Sequence, residues 1–390
     1  MDPNGIGTCG LGGICGGCSY QGMSYEEQLA LKEAEVLRLF KEKHIKYGIL
    51  ESIKGSPSVT SYRNKMEYTF GDMVKGGEMT LGLHRKKSFM TVLNADNCML
   101  CDNDFNIITS AVLRFCRLKG YSMYNRKTHT GLLRNLLLRK GERTGELLVC
   151  IVTTGESGFD DNGFRDMVLG LELKNSVVGV MHTKNDNIAD KVTNESTEIL
   201  YGRDYYNEVI MGLSFRVNIF AFFQTNVAAA ERMYREAIGM TDDVSGKTVF
   251  DLYCGTGTIT QAIALSAKEA IGVELSADAV RSARVNASLN NLENCRFIEG
   301  DVLKVLDDIP DRPDIIAVDP PRAGIHFKVL PKILNYGVGQ ILYISCNPVT
   351  LAENLQFMQE NGYRVETVKV FDNFPFTKSV ELCSLLVKTV

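Results

Sequence analysis

The stretch Thr248-Val-Phe-Asp251-Leu-Tyr253-Cys-Gly255-Thr-Gly257-Thr258 decides the fold. Its apolar run up to Leu252 reads as a buried strand. The two glycines then allow a tight turn and close approach of backbone to a ligand, before a helix opens at Thr258. The rhythm repeats downstream. EAIGVEL (269–275) reads as a strand, Ala277–Asn290 as a helix, and CRFIEGD (295–301), DIIAVDP (314–320) and QILYISC (340–346) as further strands. Strand–helix alternation of this kind implies an α/β fold with a parallel, doubly wound, Rossmann-like sheet, whose ligands sit at the carboxyl ends of the strands. YRVETVKVFD (363–372) and VELCSLLVK (380–388) are spaced to pair as a hairpin.

Upstream the pattern differs. MEYTFG (66–71), EMTLGLH (78–84), FMTVLNA (89–95), LLRNLLLRK (132–140), ELLVCIVTT (146–154) and SVVGVMHT (176–183) read as strands, and Asn106–Leu118 as a helix, giving an α+β region. Ser24-Tyr-Glu-Glu27 fits a capping box, and Tyr25, Leu29, Val36 and Phe40 recur on one face of the helix it opens. Residues 1–20 are Gly-rich. The expected organisation is an N-terminal segment with its helix (1–51), a central α+β domain (52–215) and the doubly wound domain (216–390).

Composition bounds the rest. With 390 residues, 45% hydrophobic and 23% charged, the chain is ordinary globular material, long enough for two or three domains. It has no apolar run long enough to span a membrane, and MDPNGIGTCGLGG is no secretory signal. A cytoplasmic protein is expected, in which clustered cysteines mean metal or catalysis rather than disulfides. The net charge of −4 does not favour nucleic acid, but the charge is uneven. Between Phe105 and Arg143 nine Lys and Arg face a single acid, Glu142, and Arg85, Lys86 and Lys87 follow Arg63 and Lys65. Such runs are either solvated faces or a footprint for phosphates.

Three groups of residues carry chemistry. Cys9, Cys15 and Cys18 lie on a Gly-rich backbone that can wrap a metal centre. A cubane iron–sulfur cluster needs a fourth thiolate, for which Cys98 and Cys101 are the candidates, and tetrahedral zinc is the alternative. The Gly255/Gly257 turn is followed by acids at the ends of the next two strands, Glu274 and Asp301. An acid at the first position accepts hydrogen bonds from adenosine ribose hydroxyls, and the second lies where adenine is usually met. With only two glycines, S-adenosylmethionine fits better than a dinucleotide. Third, Asp319-Pro-Pro-Arg322 and Ser345-Cys346-Asn347-Pro348 follow strands at the same sheet edge, and Glu381 is a carboxylate in an apolar strand. Taken singly, Cys346 could be a core thiol and Glu381 a surface acid. Beside a methyl donor, a thiol and a carboxylate suit methylation of uracil C5. The thiolate of Cys346 adds at C6, C5 takes the methyl group, and Glu381 removes the C5 proton before the thiolate is expelled. Asp319 would bond the pyrimidine edge or the donor's amino group.

On these residues the sequence resembles the RNA (uracil-5-)-methyltransferases. The matching segments are CGLGGICGGC (9–18), YRNKMEYTFG (62–71), GLLRNLLLRKG (131–141), FFQTN (222–226), DLYCGTGTIT (251–260), DPPRAG (319–324), ISCNPVTLAENL (344–355) and FPFTKSVE (374–381). The resemblance implies Cys346 as nucleophile and Glu381 as proton acceptor. It implies Gln224, Tyr253, Glu274 and Asp319 at the donor, beside Gly255 and Asp301. It also implies Cys9, Cys15, Cys18 and Cys98 as ligands of a [4Fe-4S] cluster, with Cys98 preferred to Cys101. The RNA expected is 23S rRNA, with tRNA as the alternative, and the expected state is a monomer. Many members begin with a small β-barrel RNA-binding domain, which this sequence is expected to lack. Phe376 and Ser379 stand where members often carry His. Two other classes compete. One is an amino-methyltransferase, which would not need Cys346. The other is an inactive iron–sulfur RNA-binding module.

Overall fold

A computed structural model describes residues 9–187 and 196–389. Helix α1 (Tyr25–Glu42) leads into the short strand β1 (Tyr47–Leu50). The central region follows: β2 (Lys65–Asp72), β3 (Met79–His84), β4 (Val92–Asn94), α2 (Asn103–Leu118), β5 (Leu133–Lys140), β6 (Glu146–Thr153), α3 (Asp161–Leu169), β7 (Ser176–Lys184) and β8 (Ser196–Gly202). A two-stranded ribbon, β9 (Tyr205–Ile210) and β10 (Leu213–Asn218), connects it to α4 (Val227–Ile238). Then come β11 (Thr248–Leu252), α5 (Thr258–Ala264), β12 (Glu269–Glu274), α6 (Ala277–Leu289), β13 (Cys295–Glu299), α7 (Val302–Val305), β14 (Ile315–Val318), α8 (Leu330–Asn335), β15 (Gln340–Ser345), α9 (Pro348–Glu360), β16 (Tyr363–Phe371) and β17 (Glu381–Lys388).

The last group forms an eight-stranded sheet in the order β1-β16-β17-β15-β14-β11-β12-β13. From β15 to β13 all neighbours are parallel, so their carboxyl ends share one edge. β17 inserts antiparallel between β15 and β16, which makes the expected tail hairpin a part of this sheet. Apolar side chains such as Phe250, Ile271, Ile316 and Ile341 are fully buried between the helical layers, as an all-parallel sheet requires.

Helix α1 begins where the sequence places it. Ser24 caps it, with Ser24 Oγ accepting from the Glu27 N–H and Glu27 accepting from the Ser24 N–H. Its buried face includes Val36 and Phe40, which join the core of this sheet, but also Gln28 and Lys32. β1 pairs parallel with β16, so α1 and β1 pack with this eight-stranded layer.

The central region is a seven-stranded mixed sheet, β4-β3-β2-β5-β6-β7-β8, covered by α2 and α3. Its basic stretch does not form one charged face. Arg134, Arg139 and Lys140 are buried; Arg134 donates to the carbonyls of Asn185 and Asn187, and Arg139 to that of Ile219. Lys140 pairs with Asp102, Lys119 with Asp160 and Arg143 with Glu231. The three buried cations brace the fold, because a buried cation is tolerated only with partners.

Candidate active site

The parallel strands deliver the site residues to one edge. Tyr253 follows β11, Glu274 ends β12, Asp301 follows β13, Asp319 follows β14 and Cys346 follows β15. Across the antiparallel pair Ser345, the last residue of β15, faces Leu382, so Cys346 leaves the ladder beside Glu381, where β17 begins, and the two interact electrostatically.

The turn after β11 is shaped for close approach. Gly255 and Gly257 are left-handed, with φ of 54° and 77°, and Tyr253 holds the same region at 67°. That conformation is costly for a tyrosine, and such outliers concentrate at ligand sites. A Cβ on Gly257 would stand 2.7 Å from the Phe297 ring, whereas nothing lies within 4 Å of one on Gly255. Glu274 is fixed through both oxygens, accepting from the N–H of Gly255 (3.1 Å) and of Ser276 (2.8 Å). Asp301 caps α7 by accepting from the Leu303 N–H (3.0 Å). Asp251 accepts from Thr260 Oγ1 at 2.5 Å, and its second oxygen is buried without a hydrogen-bond partner among the described residues. Burial holds the Asp251 carboxyl up at about 7. A glycine cradle, a fixed acid and an orphaned buried oxygen fit a small ligand carrying hydroxyls and a cation.

The reacting end is electrostatically coupled. Burial, then the charge of Asp251, raises Asp319 to about 7. Burial, then Asp319, raises Glu381 to about 8, with Arg322 opposing. The Cys346 thiol is pushed up by burial and by the charges of Glu381 and Asp319, and it is lowered by a hydrogen bond and the charge of Arg322. Arg322 is held in turn. Its carbonyl accepts from Asn347 Nδ2 at 2.8 Å, and its Nη2 donates to Ser379 Oγ at 3.4 Å. Gln224 reaches this group from the segment before α4, donating to the buried Tyr234 hydroxyl at 2.7 Å, and Tyr234 senses the charges of Asp319 and Glu381. Arg322 and Tyr234 were not given roles by the sequence. The position of Arg322 after the proline pair was a signal for it, whereas Tyr234 reads there as ordinary helix core.

The loop before Glu381 is tied down from the N-terminal side. Ser19 and Tyr20 N–H groups donate to the Phe376 carbonyl (2.7 and 3.1 Å), Gln28 Oε1 accepts from the Phe376 N–H (2.7 Å), and Tyr62 donates to the Pro375 carbonyl (2.9 Å). Lys32 and Asp372 form a buried ion pair at 2.6 Å.

The cysteine segment sits beside this loop. Cys9, Cys15, Cys18 and Cys98 line one cavity of about 290 Å³, with Arg63, Lys65 and Thr225 on its wall. Cys101 does not line it; buried, it lies 3.6 Å from the Tyr68 hydroxyl. The Cys98 thiol is held below its ordinary value, first by the neighbouring Cys101 thiol, with backbone amides and Arg63 adding to it. The Gly17 N–H donates to Cys15 Sγ at 3.4 Å. Among the described residues no three His, Cys, Asp or Glu converge as around a single ion. The thiols instead face a shared space, with amide and cationic groups at its border, and this donor set fits a multi-atom thiolate-held group. No helix among the described residues is long and apolar enough to cross a membrane.

Comparison with known proteins gives the family. The family model described as tRNA (Uracil-5-)-methyltransferase matches residues 186–302 and 306–389. A Clostridium acetobutylicum protein named as an uncharacterized RNA methyltransferase is 45% identical over 378 residues, 97% of this chain and 83% of that one. A Caldanaerobacter subterraneus protein of the same description is 46% identical over 377 residues, 97% and 84% of the two chains. The crystal structure of a Pyrococcus abyssi tRNA (uracil-54, C5)-methyltransferase, in complex with S-adenosyl-L-homocysteine, superposes with a TM-score of 0.77 at 23% identity, covering 96% of this chain and 86% of that one. That likeness carries the class I methyltransferase fold. The chain belongs to the tRNA (uracil-5-)-methyltransferase family of RNA-methylating enzymes.

Proposed function

We propose that the protein methylates C5 of uridine in RNA, with S-adenosylmethionine as donor. The observation that carries this reading is that Cys346, one residue past β15, and Glu381, the first residue of β17, lie close enough for the charge of one to act on the other, at the edge that also holds the glycine turn. When bound, the donor supplies an electrophilic methyl group. Glu274 would take the ribose hydroxyls, Asp301 and Tyr253 would meet the base, and Gln224, Asp319 and the Gly255 turn would hold the methionine end. Gly257 keeps the turn tight, so the backbone rather than a side chain meets the ligand.

Uracil C5 is a weak nucleophile. Addition of the Cys346 thiolate at C6 makes an enolate that concentrates charge on C5. The charge of Arg322 favours the thiolate, opposing the burial and the charges of Glu381 and Asp319 that hold the thiol up. After C5 is methylated, Glu381 as carboxylate accepts the C5 proton, and the C6–S bond breaks with return of the electron pair to sulfur. A carboxyl held near 8 in a dry site is a stronger base than a solvated one, and this suits a carbon acid. The target uridine must leave its stack to reach this edge.

Cys9, Cys15, Cys18 and Cys98 are proposed to hold a [4Fe-4S] cluster, on the support of their shared cavity. Because the chemistry transfers no electrons, its role is to order the segment that grips the 372–377 loop. The substrate is proposed to be 23S rRNA. The family description names tRNA, so the experiment compares the two. Unmodified 23S rRNA and tRNA transcripts are incubated with methyl-labelled donor, and the labelled nucleotide is mapped. Label in 5-methyluridine of 23S rRNA is expected. Label in tRNA alone would reassign the substrate, and label in any other nucleoside would refute the reaction.

A further inference from the structure

Away from the catalytic edge, the turn joining β3 to β4 combines exposed apolar surface with positive charge. Phe89 is 82% exposed and Met90 54%. Arg85, Lys86 and Lys87 are exposed beside them, and among the described residues none of the three is in an ion pair. The turn is nonetheless ordered by its own bonds. The Arg85 N–H donates to the Thr91 carbonyl (2.9 Å), the Ser88 N–H to the Arg85 carbonyl (3.0 Å), and the Thr91 N–H to Ser88 Oγ (3.2 Å). Arg126, from the loop between α2 and β5, donates to the Phe89 carbonyl at 3.4 Å and lies 3.3 Å from His84 Nε2. A phenyl ring displayed to water on a stiff, cationic turn gains nothing for folding, because burial is what stabilises an apolar side chain.

We propose that this turn is a contact for single-stranded RNA flanking the target uridine: Phe89 stacks on a base, and Arg85, Lys86 and Lys87 take the adjoining phosphates. Aromatic stacking with neighbouring cations is how single strands are held without base readout: the charge complements an RNA backbone, and the ring meets a base, which an acidic protein face does not offer. The proposal rests on the reading that RNA is the substrate. It adds a role for the cysteine segment, which fastens the turn. The Gly16 N–H donates to the His84 carbonyl (2.9 Å), the Lys86 N–H to the Ile14 carbonyl (2.8 Å), and Cys15 bridges Arg85 in antiparallel register. The same segment holds the Phe376 carbonyl through Ser19 and Tyr20, so one short stretch sets both an RNA contact and the loop leading to Glu381.

The test uses the full chain and a fluorescein-labelled oligouridylate of about twelve nucleotides, read by anisotropy across a salt series. Phe89→Ala is expected to weaken binding about tenfold with an unchanged salt slope, and Phe89→Trp to keep it. Lys86→Gln with Lys87→Gln is expected to flatten the slope by about 1.4, roughly 0.7 per phosphate released. Donor affinity should be the same in all of them. The proposal is overturned if Phe89→Ala binds within twofold of the wild type, or if Phe89→Leu binds as well as the wild type, since a bare apolar contact would then suffice. Methyl transfer is measured in parallel. Phe89-dependent binding without 5-methyluridine formation counts against the proposed reaction and leaves this surface standing, whereas active enzyme with Phe89-independent binding counts against the surface alone.

Discussion

Replacing Lys32 with Met removes one half of a buried ion pair, and the loss should be large. Lys32 Nζ donates to Asp372 Oδ1 at 2.6 Å and to the Phe374 carbonyl at 3.1 Å, with the two side chains 1% and 0% exposed. The second Asp372 oxygen already lacks a partner, so the carboxylate left behind has no cation and little water. Breaking a buried pair in this way costs about 3–5 kcal/mol, most of it the stranded charge. Equilibrium unfolding in guanidinium, followed by circular dichroism, measures the cost. The double variant Lys32→Met/Asp372→Asn should recover more than half of it, because Asn keeps the acceptor for the Phe374 N–H (2.9 Å) without the charge. The pair anchors the loop that runs into Glu381, so Lys32→Met should also lower kcat while leaving donor affinity intact. A loss below about 1 kcal/mol, or a double variant no more stable than the single one, would refute the reasoning.

Three further outcomes follow from the site. Gly257→Ala should lower donor affinity and stability together, because the new Cβ meets the Phe297 ring at 2.7 Å in a left-handed backbone; isothermal titration with wild-type affinity would contradict it. The ligand-free protein should lose thermal stability as pH rises from 6 to about 8.5, since Asp319 at about 7 and Glu381 at about 8 bind protons that an unfolded chain, with carboxyls near 4, has already released. Glu381→Gln should flatten that slope, and a wild-type curve that is level or rising over this window would be the contrary result. Anaerobically purified protein should be brown and carry about four irons, falling in Cys98→Ser but not in Cys101→Ser, because only Cys98 lines the cavity; zinc without iron would contradict the assignment.

The catalytic edge was legible because one rule does most of the work. In a parallel sheet the residue after each strand faces the ligand side, so Tyr253, Glu274, Asp319 and Cys346 could be placed from strand patterns alone. Three features were not legible, for definite reasons. β1 is four residues long with mostly exposed side chains, and its partner β16 lies at the far end of the chain, so no local pattern marks it as part of the catalytic sheet. Gln28 and Lys32 read as the polar side of α1, yet they are buried because loop 372–376 supplies acceptors and a donor that only the tertiary fold brings near. The basic run after Phe105 looks like one phosphate footprint, but β5 is buried on both faces and neighbouring carbonyls hold Arg134 and Arg139 inside. The cations proposed to meet RNA, Arg85, Lys86 and Lys87, lie outside that run, on the short turn after β3.

The central claim, thiolate addition by Cys346 with proton removal by Glu381, is tested most directly with RNA carrying 5-fluorouridine at the target. Fluorine at C5 cannot leave as a proton, so the C6–S adduct should accumulate. Mass spectrometry is expected to find wild-type protein joined to RNA through Cys346, with the methyl group already on C5, and no adduct in Cys346→Ala. A methylated adduct in Cys346→Ala, or full methyl transfer by that variant to unsubstituted RNA, would contradict the account.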